Sequence, residues 1–219
     1  MRRRATSACS AQARRTSPSP TTTPGGTRGA LDIAAEQLDR HPRLGLLAAL
    51  VRVGVTEWRD PICLEMDSSP LGRSDGLPGP NVLGFLACGS VVRRTAFLAA
   101  GGFDDVVFFA GEEERLSLDL AAAGWGLAYV DKVICHHHPS PTRHPHRRQV
   151  RSARNRVLTA LMRRPWPVVA RTTLTAARSG PAGRTGVVQA ARRAPMALSR
   201  RRRLPMQVEV ARQSLQRGR

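Results

Sequence analysis

The chain has 219 residues, which is enough for one folded domain with a sizeable core. Its formal net charge is +19, and residues 140–219 account for that excess with 20 Arg and a single acid, Glu209. Four widely spaced cysteines and the lack of any apolar run near bilayer length argue against a zinc ribbon, a disulfide scaffold, a signal peptide and a membrane span. A reducing cytoplasm is the expected location.

The first predicted elements come after a segment of low hydrophobicity. Residues 1–29 are mostly Arg, Ser, Thr, Pro and Gly, so we expect them to be disordered. From Ala30 to Arg40 apolar residues recur at helical spacing, and His41-Pro42 ends the predicted helix. The apolar run Leu44–Val53 then predicts a buried strand.

The middle of the chain alternates loops with short elements. Seven Pro and Gly residues between positions 56 and 80 predict a structured loop or lid. Residues 82–92 are apolar, and their small members, Gly89 and Ser90 among them, suit close approach of the backbone to a ligand. A short helix over 95–100 is predicted to end at Gly101-Gly102.

The remaining predicted elements are a helix, two strands and a basic helix. Glu112, Glu113 and Glu114 open a helix that Gly124 closes. Short strands are predicted over 127–130 and 133–135, with a histidine turn after them. A basic helix is expected to reach about Arg163, and prolines and glycines interrupt the rest of the chain.

Six short pieces between positions 84 and 165 succeed one another in a distinctive order. They are Val92-Arg93-Arg94, Phe97-Leu98, Gly101-Gly102-Phe103-Asp104, Phe108-Phe109-Ala110-Gly111-Glu112-Glu113, Gly124-Trp125 and Tyr129-Val130. Together they resemble the C-terminal, acceptor-side half of family 2 glycosyltransferases. The resemblance implies an α/β, Rossmann-like GT-A fold and inverting transfer of a sugar from a nucleotide-sugar donor to an acceptor.

The resemblance also implies catalytic residues. An inverting transfer needs a carboxylate that takes the proton of the acceptor hydroxyl, and the match gives this role to Glu113, with Glu112 as its neighbour. The family more often has Glu-Asp and a further Asp two positions on, where this chain has Glu113 and Arg115. The structural alternative is a cluster of acids that complements the dipole at a helix N-terminus.

Further site residues come from the same match. Gly89, Ser90, Arg93, Asp104 and Trp125 fall on the acceptor or donor side. On the next helix Asn155 and the arginines Arg151 and Arg154 resemble a motif whose basic side chains hold phosphate or order a loop. The alternative for the two latter arginines is plain surface charge. His136 is a candidate ligand of a divalent metal, with a solvated histidine turn as its alternative.

The domain organisation implied by the match is an incomplete GT-A domain over 30–164 and, after it, a basic, partly helical, Arg-rich tail over 165–219. The N-terminal nucleotide-binding strands and an Asp-x-Asp segment are missing from the sequence. Read one nucleotide out of register, residues 21–26 are compatible with Asp-Asp-Asp-Ser-Trp-Trp. We therefore expect 1–29 to be out-of-frame translation and the chain to be inactive by itself.

Cofactor and partner expectations depend on this interpretation. The complete parent enzyme would use Mn²⁺ or Mg²⁺, a nucleotide-sugar donor and an unidentified acceptor, and this chain is expected to bind no metal alone. The competing function is a basic binding protein whose Arg-rich segment contacts nucleic acid or an anionic membrane surface. Within the first interpretation, peripheral contact with the inner membrane face is open and nucleic acid is not expected as a partner.

Overall fold

The computed structural model describes residues 5–7, 24–26, 29–139 and 145–217 and shows a mixed α/β fold. The strands are β1 (Ala5–Ser7), β2 (Pro24–Gly26), β3 (Leu44–Val53), β4 (Trp58–Arg59), β5 (Ser90–Arg93) and β6 (Gly126–His137). The helices are α1 (Ala30–Arg40), α2 (Pro61–Asp67), α3 (Arg94–Ala99), α4 (Glu112–Ala122), α5 (Pro145–Arg163), α6 (Trp166–Arg178), α7 (Pro181–Ser199) and α8 (Met206–Arg217).

Strand β3 lies at the centre of a mixed sheet with the order β1-β5-β3-β6-β2. It runs parallel to β6 and antiparallel to β5, and its end also pairs with the short strand β4. The predictions of a helix at Ala30–Arg40 and a buried strand at Leu44–Val53 are confirmed at both bounds. The 56–80 loop contains one short helix, α2, which Asp60 caps by accepting a hydrogen bond from the Ile62 N–H at 3.0 Å.

The two short strands predicted after α4 form one strand, β6, with an irregularity between them. On β3 the neighbouring residues Ala49 and Leu50 pair with Val130 and Ile134, so residues 131–133 are extra on β6. A bulge of this kind interrupts pairing locally without ending the strand. The sequence therefore located both halves of β6 but not their continuity.

The segment 1–29 was expected to be disordered, and the structure places two strands in it. Ala5–Ser7 pairs with β5, and Pro24–Gly26 pairs with the end of β6. Apart from these strands and Gly29, the predicted out-of-frame segment lies outside the described residues.

Two hydrophobic cores are present in the described part of the chain. The first lies between the sheet and α1, α2 and α4, with Leu46, Leu116 and Tyr129 among its fully buried side chains. The second is helical and lies between α5, α6 and α7. Val106 and Val107 from the loop before α4 are fully buried in this second core. The loop thus connects the start of α4 to the layer of helices formed by α5, α6 and α7.

Residues 165–219 were expected to be a partly helical tail broken by prolines and glycines. Three helices, α6 to α8, occupy most of this range, and α6 and α7 both pack against α5. Pro167 and Pro181 stand in the first turns of α6 and α7, where a missing N–H breaks no helical hydrogen bond. None of the helices in the described ranges is long and apolar enough to cross a membrane.

Candidate functional site

The predicted catalytic pair, Glu112 and Glu113, lies at the N-terminus of α4. Gly111 precedes the helix with a φ of 111°, and its N–H donates to Oε2 of Glu113 at 3.2 Å. The other carboxylate, Glu112, is partly buried, and its Oε2 is a buried atom with no hydrogen-bond partner in the described residues. The two neighbouring carboxyls therefore have different environments.

Burial raises the pKa of Glu112 to about 7, and the adjacent Glu113 charge adds to the rise. Backbone hydrogen bonds and the charge of Arg148 oppose it. Near neutral pH, Glu112 consequently exchanges between its neutral and ionised forms. A carboxyl poised in this way is a feature found at catalytic sites as well as in buried structural clusters.

The loop before this pair is held in an unusual backbone conformation. Phe109 and Ala110 have φ values of 55° and 73°, a region that non-glycine residues rarely adopt. Nδ2 of Asn155 donates to the carbonyls of Phe108, Phe109 and Ala110 at 3.2, 2.9 and 2.9 Å. A single buried amide on α5 thus fixes the three residues that lead to Gly111.

Two predicted arginines join this arrangement from the same helix. Arg154 donates from Nε to Oδ1 of Asn155 at 2.8 Å and from Nη2 to the Phe108 carbonyl at 3.0 Å. The guanidinium of Arg151 lies 5.3 Å from the ring centre of Phe109. Arg154 is therefore a buried loop-ordering residue, whereas Arg151 is exposed at the surface beside the loop.

Sequence reasoning gave no role to Arg148 or to the conformations of Phe109 and Ala110. Arg148, Arg151 and Asn155 are spaced by three and four positions, so they share one face of α5. That spacing could have indicated that the three side chains lie close to the same segment of the chain. The left-handed residues carry no sequence signal, because neither is Gly or Asn.

Asp104 and Arg115 lie in a buried ion-pair cluster. Arg115 contacts Asp104 at 3.4 Å and Asp119 at 2.8 Å, and it donates to the Gly102 carbonyl at 2.8 Å. Asp119 also accepts two hydrogen bonds from Arg163 at 2.5 and 3.0 Å. Arg115, which stands where the family more often has an Asp, thus joins the Gly-Gly-Phe-Asp turn to α4.

Four further predicted site residues make structural contacts around β3: Gly89, Ser90, Arg93 and Trp125. A Cβ at Gly89 would lie 2.3 Å from Cγ2 of Val51, and the Ser90 hydroxyl donates to the Ala87 carbonyl at 3.4 Å. The buried Arg93 guanidinium donates to carbonyls at the end of α1 and the start of β3, and lies 6.0 Å from the Trp125 ring centre. No contact in the described residues places these four at the Glu112–Glu113 pair.

Trp125 also lines a cavity of about 360 Å³ between the 71–83 loop, the start of β6 and α8. Leu77, Asn81 and Gln207 are among its other lining residues. The cavity lies at the C-terminal end of α4, whereas the carboxylate pair lies at its N-terminal end. It therefore does not join Trp125 to the predicted base.

His136 lies near the end of β6, with Nδ1 at 3.2 Å from Oε1 of Glu57. In the described ranges, no three His, Cys, Asp or Glu side chains gather as a metal ion requires. A divalent cation prefers several oxygen ligands, and these two side chains alone do not provide them. His136 and Glu57 alone thus do not form the metal site expected of the complete parent enzyme, and we assign no catalytic step to a metal.

No protein-family model and no curated protein sequence matches the chain. Among solved structures, it is similar to a mannosyltransferase from Pyrobaculum calidifontis, solved in complex with GDP-Man and Mn²⁺, at 16% identity and a TM-score of 0.38. The match covers 88% of this chain and 47% of that one, so the chain spans about half the length of this neighbour. Such a likeness carries no information about substrate.

Proposed function

We propose that the chain is glycosyltransferase-like and supplies the acceptor-side half of an inverting enzyme that uses a nucleotide-sugar donor. The observation that carries the proposal is the arrangement at the start of α4. Two adjacent carboxylates there come after a loop whose strained backbone is fixed by Asn155 and Arg154. The six sequence pieces that resemble family 2 enzymes support the same assignment.

In this proposal Glu113 is the general base. The hydroxyl of the acceptor gives its proton to a Glu113 carboxylate oxygen while its oxygen forms a bond to the anomeric carbon. The bond from that carbon to the diphosphate breaks, and the electron pair leaves with the nucleoside diphosphate. Glu112 supports the assignment, because burial favours its neutral form and thus limits repulsion within the pair.

Donor binding belongs, in the same proposal, to a nucleotide-binding half and an Asp-x-Asp segment that the parent enzyme supplies. The 219 residues contain no Asp-x-Asp. Resequencing the DNA over codons 1–35 and several hundred upstream bases in all three frames tests this part. An upstream frame encoding nucleotide-binding strands and an Asp triplet would support it, and three empty frames would overturn it.

The role of Glu113 as general base is tested with Glu113→Gln and the matched control Glu114→Gln. Both are made in the longer protein that is encoded when the upstream reading frame is joined to the frame of residues 30–219. Each variant removes one carboxylate from the same helical turn. We expect Glu113→Gln to lower kcat by about 10²–10⁴, the usual contribution of a general base, and Glu114→Gln to change it only severalfold. Release of nucleoside diphosphate from a panel of nucleotide sugars is the measurement. Equal effects of the two variants would remove Glu113 from the role.

The competing function, a binding protein that uses the Arg-rich segment 140–219, is weakened by where several arginines of that segment lie. Arg163 and Arg164 are buried, and each is paired with an acid. Arg200 and Arg212 also form ion pairs with acids of the preceding domain. These four side chains hold the fold together, so only the outward-facing arginines remain for a partner.

A further inference from the structure

The outward face of α6 combines exposed apolar side chains with arginines. Leu174 is 49% exposed and lies between the exposed Arg171 and Arg178, three and four positions away. These spacings place all three on one stripe of the helix. At the start of the helix Trp166 is 58% exposed, and the guanidinium of Arg201 lies 4.3 Å from its ring centre.

The neighbouring helix α7 repeats the pattern. Val188 is 53% exposed and lies four positions from Arg184 and four from Arg192, both of which are exposed. The opposite side of α7 carries small buried residues, such as Ala190, that face the helical core. Helices α6 and α7 pack against each other as well as against α5, so their exposed stripes belong to neighbouring helices on the outside of the helical layer.

The sequence of this region supplies no acid to neutralise these arginines. Residues 165–208 contain nine Arg and no Asp or Glu. No ion pair in the described part of the chain engages Arg178, Arg184 or Arg192, unlike Arg200, which is paired with Asp104 and Asp105. The outward stripes of α6 and α7 are therefore both cationic and partly apolar.

We propose that this basic-apolar face, formed by Leu174, Val188 and arginines 171, 178, 184 and 192, binds the surface of an anionic lipid bilayer. An anionic membrane surface attracts arginines that lie next to it, and apolar side chains exposed among those arginines are buried in the interface. The arginines contact lipid phosphates, while Leu174 and Val188 enter the boundary between head groups and acyl chains. This interaction is independent of the glycosyltransferase proposal.

The composition of the face favours lipid over the other partners. Association with the same face of a second copy would bring arginines against arginines with no acid to offset them. A nucleic-acid backbone neutralises arginines but offers no apolar layer for Leu174 and Val188. Of these three partners, a bilayer is the one that accommodates both kinds of side chain.

The test measures sedimentation of the full chain with vesicles of about 30% phosphatidylglycerol in phosphatidylcholine and with pure phosphatidylcholine vesicles. We expect binding to the anionic vesicles only, decreasing as salt screens the charges. Arg184→Gln with Arg192→Gln should weaken binding about 25-fold, or about fivefold for each arginine near the surface. The matched control, Arg73→Gln with Arg94→Gln, removes the same charge from exposed positions elsewhere and should change it less than about threefold.

A second pair of variants tests the apolar contribution. Leu174→Asp on the face should weaken binding at least tenfold, whereas Leu98→Asp at an equally exposed position on α3 should change it by about the effect of one charge. Absence of binding to anionic vesicles would overturn the proposal. It would also fail if both arginine pairs had equal effects, or if Leu174→Asp bound no more weakly than Leu98→Asp. Circular dichroism of each variant checks that it is folded.

Discussion

Glu112 is the residue whose environment departs most clearly from that of an ordinary surface carboxyl. Its pKa rises to about 7 from the usual 4.5, so the folded protein holds a proton that the unfolded chain releases between these values. Stability contributed by this group therefore falls as the pH rises from 4.5 to 7 and stays low above that range.

Glu112→Gln should consequently stabilise the protein at pH 8. The expected gain is about 1–2 kcal/mol, discounted from the full shift because the side chain is partly exposed. At pH 5 the gain should be only about a quarter as large. Urea denaturation of the variant and the parent at both pH values measures the difference.

Asp32→Asn provides the matched control, since Asp32 also lies in the first turn of a helix but is exposed. Its effect should be small and should not grow between pH 5 and pH 8. A Glu112→Gln variant that is equally destabilised at both pH values would show that the carboxyl is held by contacts rather than strained by burial.

At the scale of elements, α4, α5 and the Gly-Gly-Phe-Asp turn meet at the charge cluster around Asp119. Its carboxylate forms ion pairs with Arg115 and Arg163, both of which are buried. Asp119→Asn would leave two buried guanidinium groups without their shared counter-charge. We expect a loss of about 3–5 kcal/mol in the free energy of unfolding, as for other broken buried pairs.

The control for this prediction is Asp105→Asn in the same network. Its side chain is 74% exposed and pairs with Arg200 at 2.5 Å, so its loss should cost about 1 kcal/mol or less. Urea denaturation compares the two variants. Equal costs would mean that the buried cluster contributes no more than a surface ion pair.

The elements that the sequence predicted well have local signals at both ends. Helix α1 has regular apolar spacing and ends before a proline, and α3 ends at two glycines with positive φ, Gly101 and Gly102. Predicting α6 and α7 required a different interpretation of proline. Pro167 and Pro181 mark helix starts, although the prediction treated them as breaks.

The site was predictable to a smaller extent. The site residues predicted from the sequence include Glu112, Glu113, Arg151 and Arg154, and in the structure these four lie in one region around the 108–111 loop. The sequence could not show the backbone of Phe109 and Ala110, because the Asn155 contacts that fix it join residues about 46 positions apart. Tertiary contacts of this kind have no local pattern.

Across the whole molecule, α8 is joined to the rest of the fold by ion pairs. Arg164 donates to both carboxylate oxygens of Glu209 at 2.6 and 2.9 Å, and both side chains are almost fully buried. Arg212 on the same helix pairs with Glu114 at 2.6 Å, in a more exposed position. Glu209, the single acid of the C-terminal 80 residues, thus attaches α8 to the end of α5 through Arg164.

This geometry predicts the pH below which α8 loses its packing against the rest of the fold. Burial alone would raise the pKa of Glu209, but hydrogen bonds from Arg164 and Gln213 and nearby arginine charges leave it below the usual 4.5. The pair therefore stabilises the fold fully above pH 4.5 and loses this contribution as the pH falls through the lower, folded-state pKa. Protection of the α8 amides from hydrogen exchange, relative to the intrinsic exchange rate at each pH, should fall over that range before protection of β3 does.

Glu209→Gln should reproduce the loss at neutral pH, because it leaves the buried Arg164 without its counter-charge. We expect a cost of about 3–5 kcal/mol in the free energy of unfolding, measured by urea denaturation at pH 7. Arg164→Met combined with Glu209→Met should cost much less, since no isolated charge remains. Glu114→Gln, which breaks the more exposed pair, should cost about 1 kcal/mol. If the double variant were as unstable as Glu209→Gln, the stability that Glu209 and Arg164 provide would come from how their side chains pack and not from the pairing of their charges.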